Sequence, residues 1–138
     1  MTDDLAALTA HYPGAQTFRF GDGPGMCAEL LALVRAGRKT ATCGAAAEYA
    51  PDDPALPVVG RRDIALNWDG TPALVIETLH VERRRFCDMD ADFALAEGEN
   101  EDLAGWQRDH RAYFERNGGF DPEMELVCER FRMVEDLG

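Results

Sequence analysis

Lysine is nearly missing from this chain. Of its fourteen lysine and arginine residues, thirteen are arginine, and Lys39 is the single lysine. A guanidinium stays charged in any protein environment, whereas a desolvated ammonium can lose its proton and act as a base or nucleophile. Lys39 is therefore the one strongly basic side chain that can be switched off. The plain alternative is the bias of an Ala-, Gly- and Arg-rich composition. Long apolar runs are missing too. No stretch approaches the ~20 residues of a membrane span, and Met1-Thr2-Asp3-Asp4 lacks the basic-then-apolar form of a signal peptide. A cytoplasmic protein with no membrane association is expected.

Paired cysteine motifs are also absent. Cys27, Cys43, Cys87 and Cys128 are widely separated, with no CxxC. They read as reduced, mostly buried thiols. Neither they nor His11, His80 and His110 show ligand spacing, so no metal and no other cofactor is expected. The glycine-rich stretch 21–25 lacks the downstream Gly-Lys-Ser/Thr of a phosphate loop. No Ser-His-Asp triad or dinucleotide fingerprint is present. Positive charge is in deficit: the net charge is −12. A nucleic-acid polymer held by phosphate neutralisation would be repelled at distance, although Arg35, Arg38 and Lys39, Arg61-Arg62 and Arg83-Arg84-Arg85 form local basic patches. A nucleobase or nucleoside with little or no phosphate escapes that repulsion.

What remains is a 138-residue chain that is 46% apolar, expected to fold as one domain over residues 1–138 and to bury roughly 68–70% of its unfolded surface. Helical periodicity predicts Thr2–His11, capped by Thr2 with Asp3 and Asp4 at its positive end. It also predicts Met26–Ala36, with Gly37 as a left-handed C-cap. Residues 16–20 read as a short strand, Thr40–Cys43 as β-prone and Gly44–Tyr49 as a helical turn. Ile64–Trp68, Asp69-Gly70 and Pro72–Val81 form a hairpin signal. Glu77 falls among apolar neighbours and either points across the sheet into a polar site or, as is expected, lies at an exposed strand edge. A short helix over 90–98, a longer one over 102–117 and a closing strand over 124–134 complete the order. The class is α+β, with helices around a small, mainly antiparallel barrel.

Lys39 and Thr42 set an amine and a hydroxyl three residues apart. A neutral lysine can take the hydroxyl proton and generate a nucleophile for a carbonyl. In a regular strand the two would point to opposite faces, so they converge only where the backbone turns. Otherwise they are a surface lysine beside a β-prone threonine. Glu97 opens an acidic run and can hold the ammonium or shuttle a proton, or it is simply a solvated residue ahead of a helix. His110, on the apolar stripe with Leu103, Trp106, Tyr113 and Phe114, reads as a hydrogen-bonded core histidine, with a base as the alternative. Trp68 and Trp106 read as core aromatics, or as platforms on which a base stacks.

Phe20-Gly21-Asp22, Glu29-Leu30-Leu31, Gly37-Arg38-Lys39-Thr40-Ala41-Thr42 and Tyr49 resemble the opening of the ASCH domain family. Leu56-Pro57, Gly60, Ile76-Glu77-Thr78, Phe93 through Glu99, Trp106, His110, Phe114 and Val127 through Phe131 continue the likeness in order. The resemblance implies a PUA-like barrel and a cleft for RNA or a nucleoside. It also implies an activity: the family includes an amidohydrolase that deacetylates N4-acetylcytidine through a lysine, a threonine and a glutamate. By that similarity Thr42 is the nucleophile, Lys39 its activator and Glu97 the proton-transfer partner. Arg38, Thr40, Tyr49 and Trp68 would contact the substrate. An RNA-binding or RNA-cleaving domain, or a non-catalytic sensor of a nucleotide-like ligand, are the alternatives. The expected partner is a small nucleoside-like substrate or single-stranded RNA.

Overall fold

The computed structural model describes the backbone of residues 2–138 and the side chains of residues 5–138. Its centre is the hairpin signalled by Asp69-Gly70. Gly70 takes φ +90° in the turn, joining β3 (Arg62–Leu66) to β4 (Pro72–Arg85). β5 (Glu125–Asp136) pairs antiparallel with β4 from Leu74↔Asp136 to Arg85↔Glu125. β2 (Ala41–Ala45) pairs antiparallel with β5, and the short β1 (Thr17–Phe18) runs parallel to β3. The five-stranded sheet has the order β1-β3-β4-β5-β2. Among the described residues no ladder joins the edge strands β1 and β2. The sheet is therefore open and mainly antiparallel, and the fold is α+β as expected.

Glu77 is not at a sheet edge, because β4 is flanked by β3 and β5. Its carboxylate instead accepts from Arg62 Nε at 3.1 Å and Arg132 Nη2 at 3.2 Å, on strands to either side. β4 also extends beyond Val81 through the arginine run. Arg83 pairs with Glu125, Arg84 with Glu82 and Asp90, and Arg85 with Asp88 and Glu123. Opposite charges on the same and the facing strand make a run of like charges tolerable in a sheet.

Helices cover the sheet. α1 (Thr2–His11) leads into Tyr12, which packs with Ile64, Leu66 and Val75. The capping expected of Thr2, Asp3 and Asp4 lies outside the described side chains. α2 (Pro24–Arg35) sets Leu30, Leu31 and Val34 against Leu74, Ile76 and Phe131. α3 (Ala91–Ala96) and α4 (Leu103–Arg116) bring Phe93, Trp106 and Phe114 onto Ala41, Ala45, Leu126 and Cys128. Burying each such large apolar side chain stabilises by roughly 1.5–3 kcal/mol. Trp68 is not a core aromatic: it is 42% exposed, with Arg19 over its ring.

Two glycines fix where Lys39 goes. Gly37, at φ +76°, ends α2: its N–H donates to Val34 O and that of Arg38 to Leu33 O, both at 3.0 Å. This is the paired 5→2 and 6→1 closure that needs a left-handed residue. Gly98, at φ +75°, follows α3, where a Cβ would overlap the Arg38 carbonyl and sit 2.8 Å from the Lys39 nitrogen. Thr40 N–H donates to Ala96 O at 2.8 Å alongside. Gly98→Ala adds the strain of a positive φ to a collision with backbone. It is expected to cost more than ~1 kcal/mol by chemical denaturation, and a variant as stable as the parent would show that this close approach is not required.

Candidate functional site

Lys39 leaves the end of α2 and turns inward, where it is 2% exposed. Its ammonium lies 2.9 Å from Glu99 Oε2 and 3.3 Å from Glu97 Oε1, and donates to the Glu97 carbonyl at 3.4 Å. The Phe20 ring lies 5.8 Å from Nζ. Burial by itself would push the amine's pKa down, but Glu97 and Glu99 together outweigh it and raise it. The expected switchable amine is thus corrected: in the free protein Lys39 is held as an ammonium, by two carboxylates rather than one.

Glu97 is the centre of the cluster and is 1% exposed. Its Oε2 accepts from Trp106 Nε1 at 2.6 Å and from the Cys43 thiol at 3.4 Å, and faces His110 Nε2 at 3.4 Å. Burial works to raise its pKa, yet Lys39 and His110, with the Trp106 bond, hold it at about 2. His110 Nδ1 lies 2.9 Å from Trp106 O. A carbonyl only accepts, so that nitrogen carries a proton, and a second proton on Nε2 would face the carboxylate. Burial opposes that charge, but Glu97 prevails and raises the His110 pKa. Two cations and two anions then balance. The thiol of Cys43 is pushed up by burial and then by Glu97, so it is no thiolate nucleophile.

These side chains meet for local reasons. Asp102 caps α4 by accepting from Gly105 N–H at 2.8 Å. Trp106 and His110, one turn apart, stack with ring centroids 4.2 Å apart and reach Glu97 together. Asp90 caps α3 through Phe93 N–H at 2.8 Å, and Glu97 follows at that helix's end.

Lys39, Glu97, Glu99 and His110 line one wall of a cavity of about 640 Å³. Residues of both edge strands line it: Thr17 and Phe18 of β1, and Thr42, Cys43 and Gly44 of β2. Along β2, Ala41, Cys43 and Ala45 pack toward α3 and α4, so Thr42 and Gly44 face the other way. Thr42 lies directly opposite Glu129 of β5, which also lines the cavity. Tyr49 fills the space beside Gly44, its hydroxyl 3.6 Å from where a Cβ would lie.

Of the residues expected from sequence, Lys39, Thr42, Glu97 and Tyr49 line the cavity. Lys39 and Glu97 touch; among the described residues no hydrogen bond joins Thr42 to either. Arg38, Thr40 and Trp68 are exposed and lie outside the lining. Sequence reasoning missed Glu99 and Glu129, and read His110 as core. The pattern that could have found His110 was present: Trp106 and His110 share a helical face with an acidic run just upstream. Cys43, Glu97 and His110 offer donor atoms within 4.8 Å of one another. That mixture suits a soft divalent ion, which would compete for Glu97 with Lys39 and Trp106.

An open, mainly antiparallel sheet with helices on its faces and a cleft between its edges is a PUA-like arrangement. The sequence model of the ASCH domain matches residues 16–135, and the chain belongs to the ASCH domain family. It is similar to the crystal structure of an ASCH domain from Lactobacillus crispatus, at 30% identity and TM-score 0.81, covering 94% of this chain and 85% of that one. It is also similar to a protein from Enterococcus faecalis, at 29% identity and TM-score 0.84, covering 99% and 95%. No curated protein matches. Among the described residues no helix is long and apolar enough to cross a membrane.

Removing one partner from a buried charge cluster typically costs about 3–5 kcal/mol. Glu97→Gln should do so, and should lower the His110 pKa, read by NMR titration of the imidazole. The pH signs are opposite. Glu97 stabilises above its ordinary 4.5 and loses that contribution as pH falls toward about 2. His110 stabilises fully below its ordinary 6.5 and loses it as pH rises through its raised value. An unchanged His110 titration in Glu97→Gln would dissolve the coupling.

Proposed function

We propose that the protein is a cytoplasmic hydrolase acting on the amide of an acylated nucleoside or nucleobase, with N4-acetylcytidine as the type substrate. Thr42 is the nucleophile, Lys39 activates it, and Glu97 serves proton transfer. The observation that carries the reading is that Thr42 opens onto the same cavity as the buried Lys39–Glu97 pair. Lys39 acts through its charge: an ammonium beside the reacting carbonyl stabilises the oxyanion of the tetrahedral intermediate. Glu97, ionised to about pH 2, raises the pKa of both Lys39 and His110, and either of them, when protonated, can supply the proton to the leaving nitrogen.

The size and walls of the cleft suit such a ligand. About 640 Å³ falls within the range of small-molecule pockets, and Phe20, Tyr49 and Tyr113 offer aromatic faces to a base. Its charge argues for a ligand without phosphate. Glu29, Asp63, Glu97, Glu99, Asp109 and Glu129 line it against Arg19, Lys39 and Arg116. The RNA reading draws on the arginine patches, but Arg61, Arg62, Arg83, Arg84 and Arg85 are already paired with carboxylates.

Purified protein assayed against a panel of N4-acylated cytidines should release the free base. Thr42→Val and Lys39→Met should each lose roughly 10²-fold or more in turnover, with circular dichroism confirming that both fold. No turnover of any member would sink the amidase reading, and full turnover by Lys39→Met would remove the ammonium from it. Titration of labelled single-stranded RNA at several salt concentrations separates the rival, which requires affinity that falls steeply with salt.

A further inference from the structure

With Lys39 held as an ammonium between Glu97 and Glu99, the Thr42 hydroxyl lacks the proton acceptor that the lysine was expected to provide. The cleft carries another. Thr42 and Glu129 are direct cross-strand partners in the antiparallel β2–β5 pair. Such partners have Cβ atoms roughly 4.5–5.5 Å apart on one face of the sheet, within reach of a threonine hydroxyl and a glutamate carboxylate. Both line the cavity. We propose that Glu129 is the general base that takes the Thr42 proton.

The other carboxylates of the cleft are less suited. Glu97 and Glu99 hold Lys39. Asp63 is bound by Arg61 at 2.8 Å and 3.0 Å. Glu129, by contrast, has no ion pair among the described residues. Its Oε2 accepts from the buried Thr78 hydroxyl at 2.8 Å, which orients the carboxylate from β4. Burial raises its pKa, with Asp63 adding and Thr78, Arg61 and Lys39 opposing. Tyr49 lines the same cavity, and burial followed by the charge of Glu129 raises the phenol's own pKa. A carboxylate more basic than an ordinary one takes a hydroxyl proton more readily.

The step balances without a co-reactant other than water. As Thr42 Oγ1 bonds to the acyl carbon, its proton passes to the Glu129 carboxylate. The C–N bond breaks and the nitrogen leaves with a proton from the cleft. Water then attacks the threonine ester, giving its hydroxyl to the acyl carbon and its other proton to the Thr42 oxygen; the acid is released, and the proton held by Glu129 restores the cleft donor. This rests on the threonine nucleophile proposed above, so its test avoids the nucleoside. p-Nitrophenyl acetate should acetylate Thr42, detected by peptide mass spectrometry, with p-nitrophenolate as leaving group. The rate should rise with pH through a midpoint above the usual carboxylate range.

Glu129→Gln preserves size and the Thr78 bond, and should slow acetylation roughly 10²–10⁴-fold and erase that rise. Glu129→Asp should keep the rise at a lower rate. Acetylation of Glu129→Gln at the parent rate would overturn the proposal, as would a parent protein whose Thr42 stays unmodified. Glu129-dependent acetylation, with no turnover of the acylated cytidines, would retire the substrate reading and leave Glu129 in place.

Discussion

Burying an ion strips its hydration, and in a protein interior the loss amounts to several kcal/mol unless partners replace the water. Lys39 and Glu97, both almost fully buried, impose that demand on everything around them. One carboxylate is not enough for three ammonium hydrogens, so Glu99 and the Glu97 carbonyl take the others. One ammonium is not enough for two carboxylates, so Trp106, His110 and Cys43 gather on the remaining Glu97 oxygen. The cluster reaches from the end of α2 through β2 to α4. It ties the end of α2 to β2 and α4, which already share an apolar core.

That demand explains the backbone as well. Gly37 reverses the chain after α2 so that Lys39 can turn inward. Gly98 lets the segment after α3 lie against the Arg38–Lys39 peptide, which brings Glu97 and Glu99 to the amine from consecutive odd positions. A side chain at Gly98 would push the carboxylates and the ammonium apart. Glycine here serves the electrostatics of the site and not the flexibility of a loop.

Much of this architecture is legible in sequence where the signal is local. The hairpin at Asp69-Gly70, the C-cap at Gly37 and the amphipathic face of α4 depend on neighbours a few residues away, and all are found. What was illegible depends on pairing across distance. The placement of β4 at the centre of the sheet turns Glu77 from an edge residue into a bridge between two arginines. The partnership of Thr42 with Glu129 needs the β2–β5 register, which no spacing within either segment reveals. The charge state of Lys39 was misjudged for the same reason: sequence shows one lysine, but not that two carboxylates converge on it.

The two faces of β2 give the cleft a division of labour. Cys43 faces the ion cluster, whereas Thr42 faces Glu129; because β2 is an edge strand, the cavity reaches both sides. Lys39 and Thr42 therefore do not need to share a face in order to share a substrate. On the proposed reading, the acyl carbonyl lies around the strand's edge. The threonine attacks from the Glu129 side, while positive charge waits for the oxyanion on the other. Separating the base from the cation has a physical advantage. Were one lysine to serve as both, it would have to give up its charge to accept the threonine proton. It would then lose the two carboxylates that keep it charged while buried. Assigning the proton to Glu129 leaves the Lys39 ammonium charged while the threonine attacks, and preorganised charge of that kind lowers a barrier without reorganising as it is crossed.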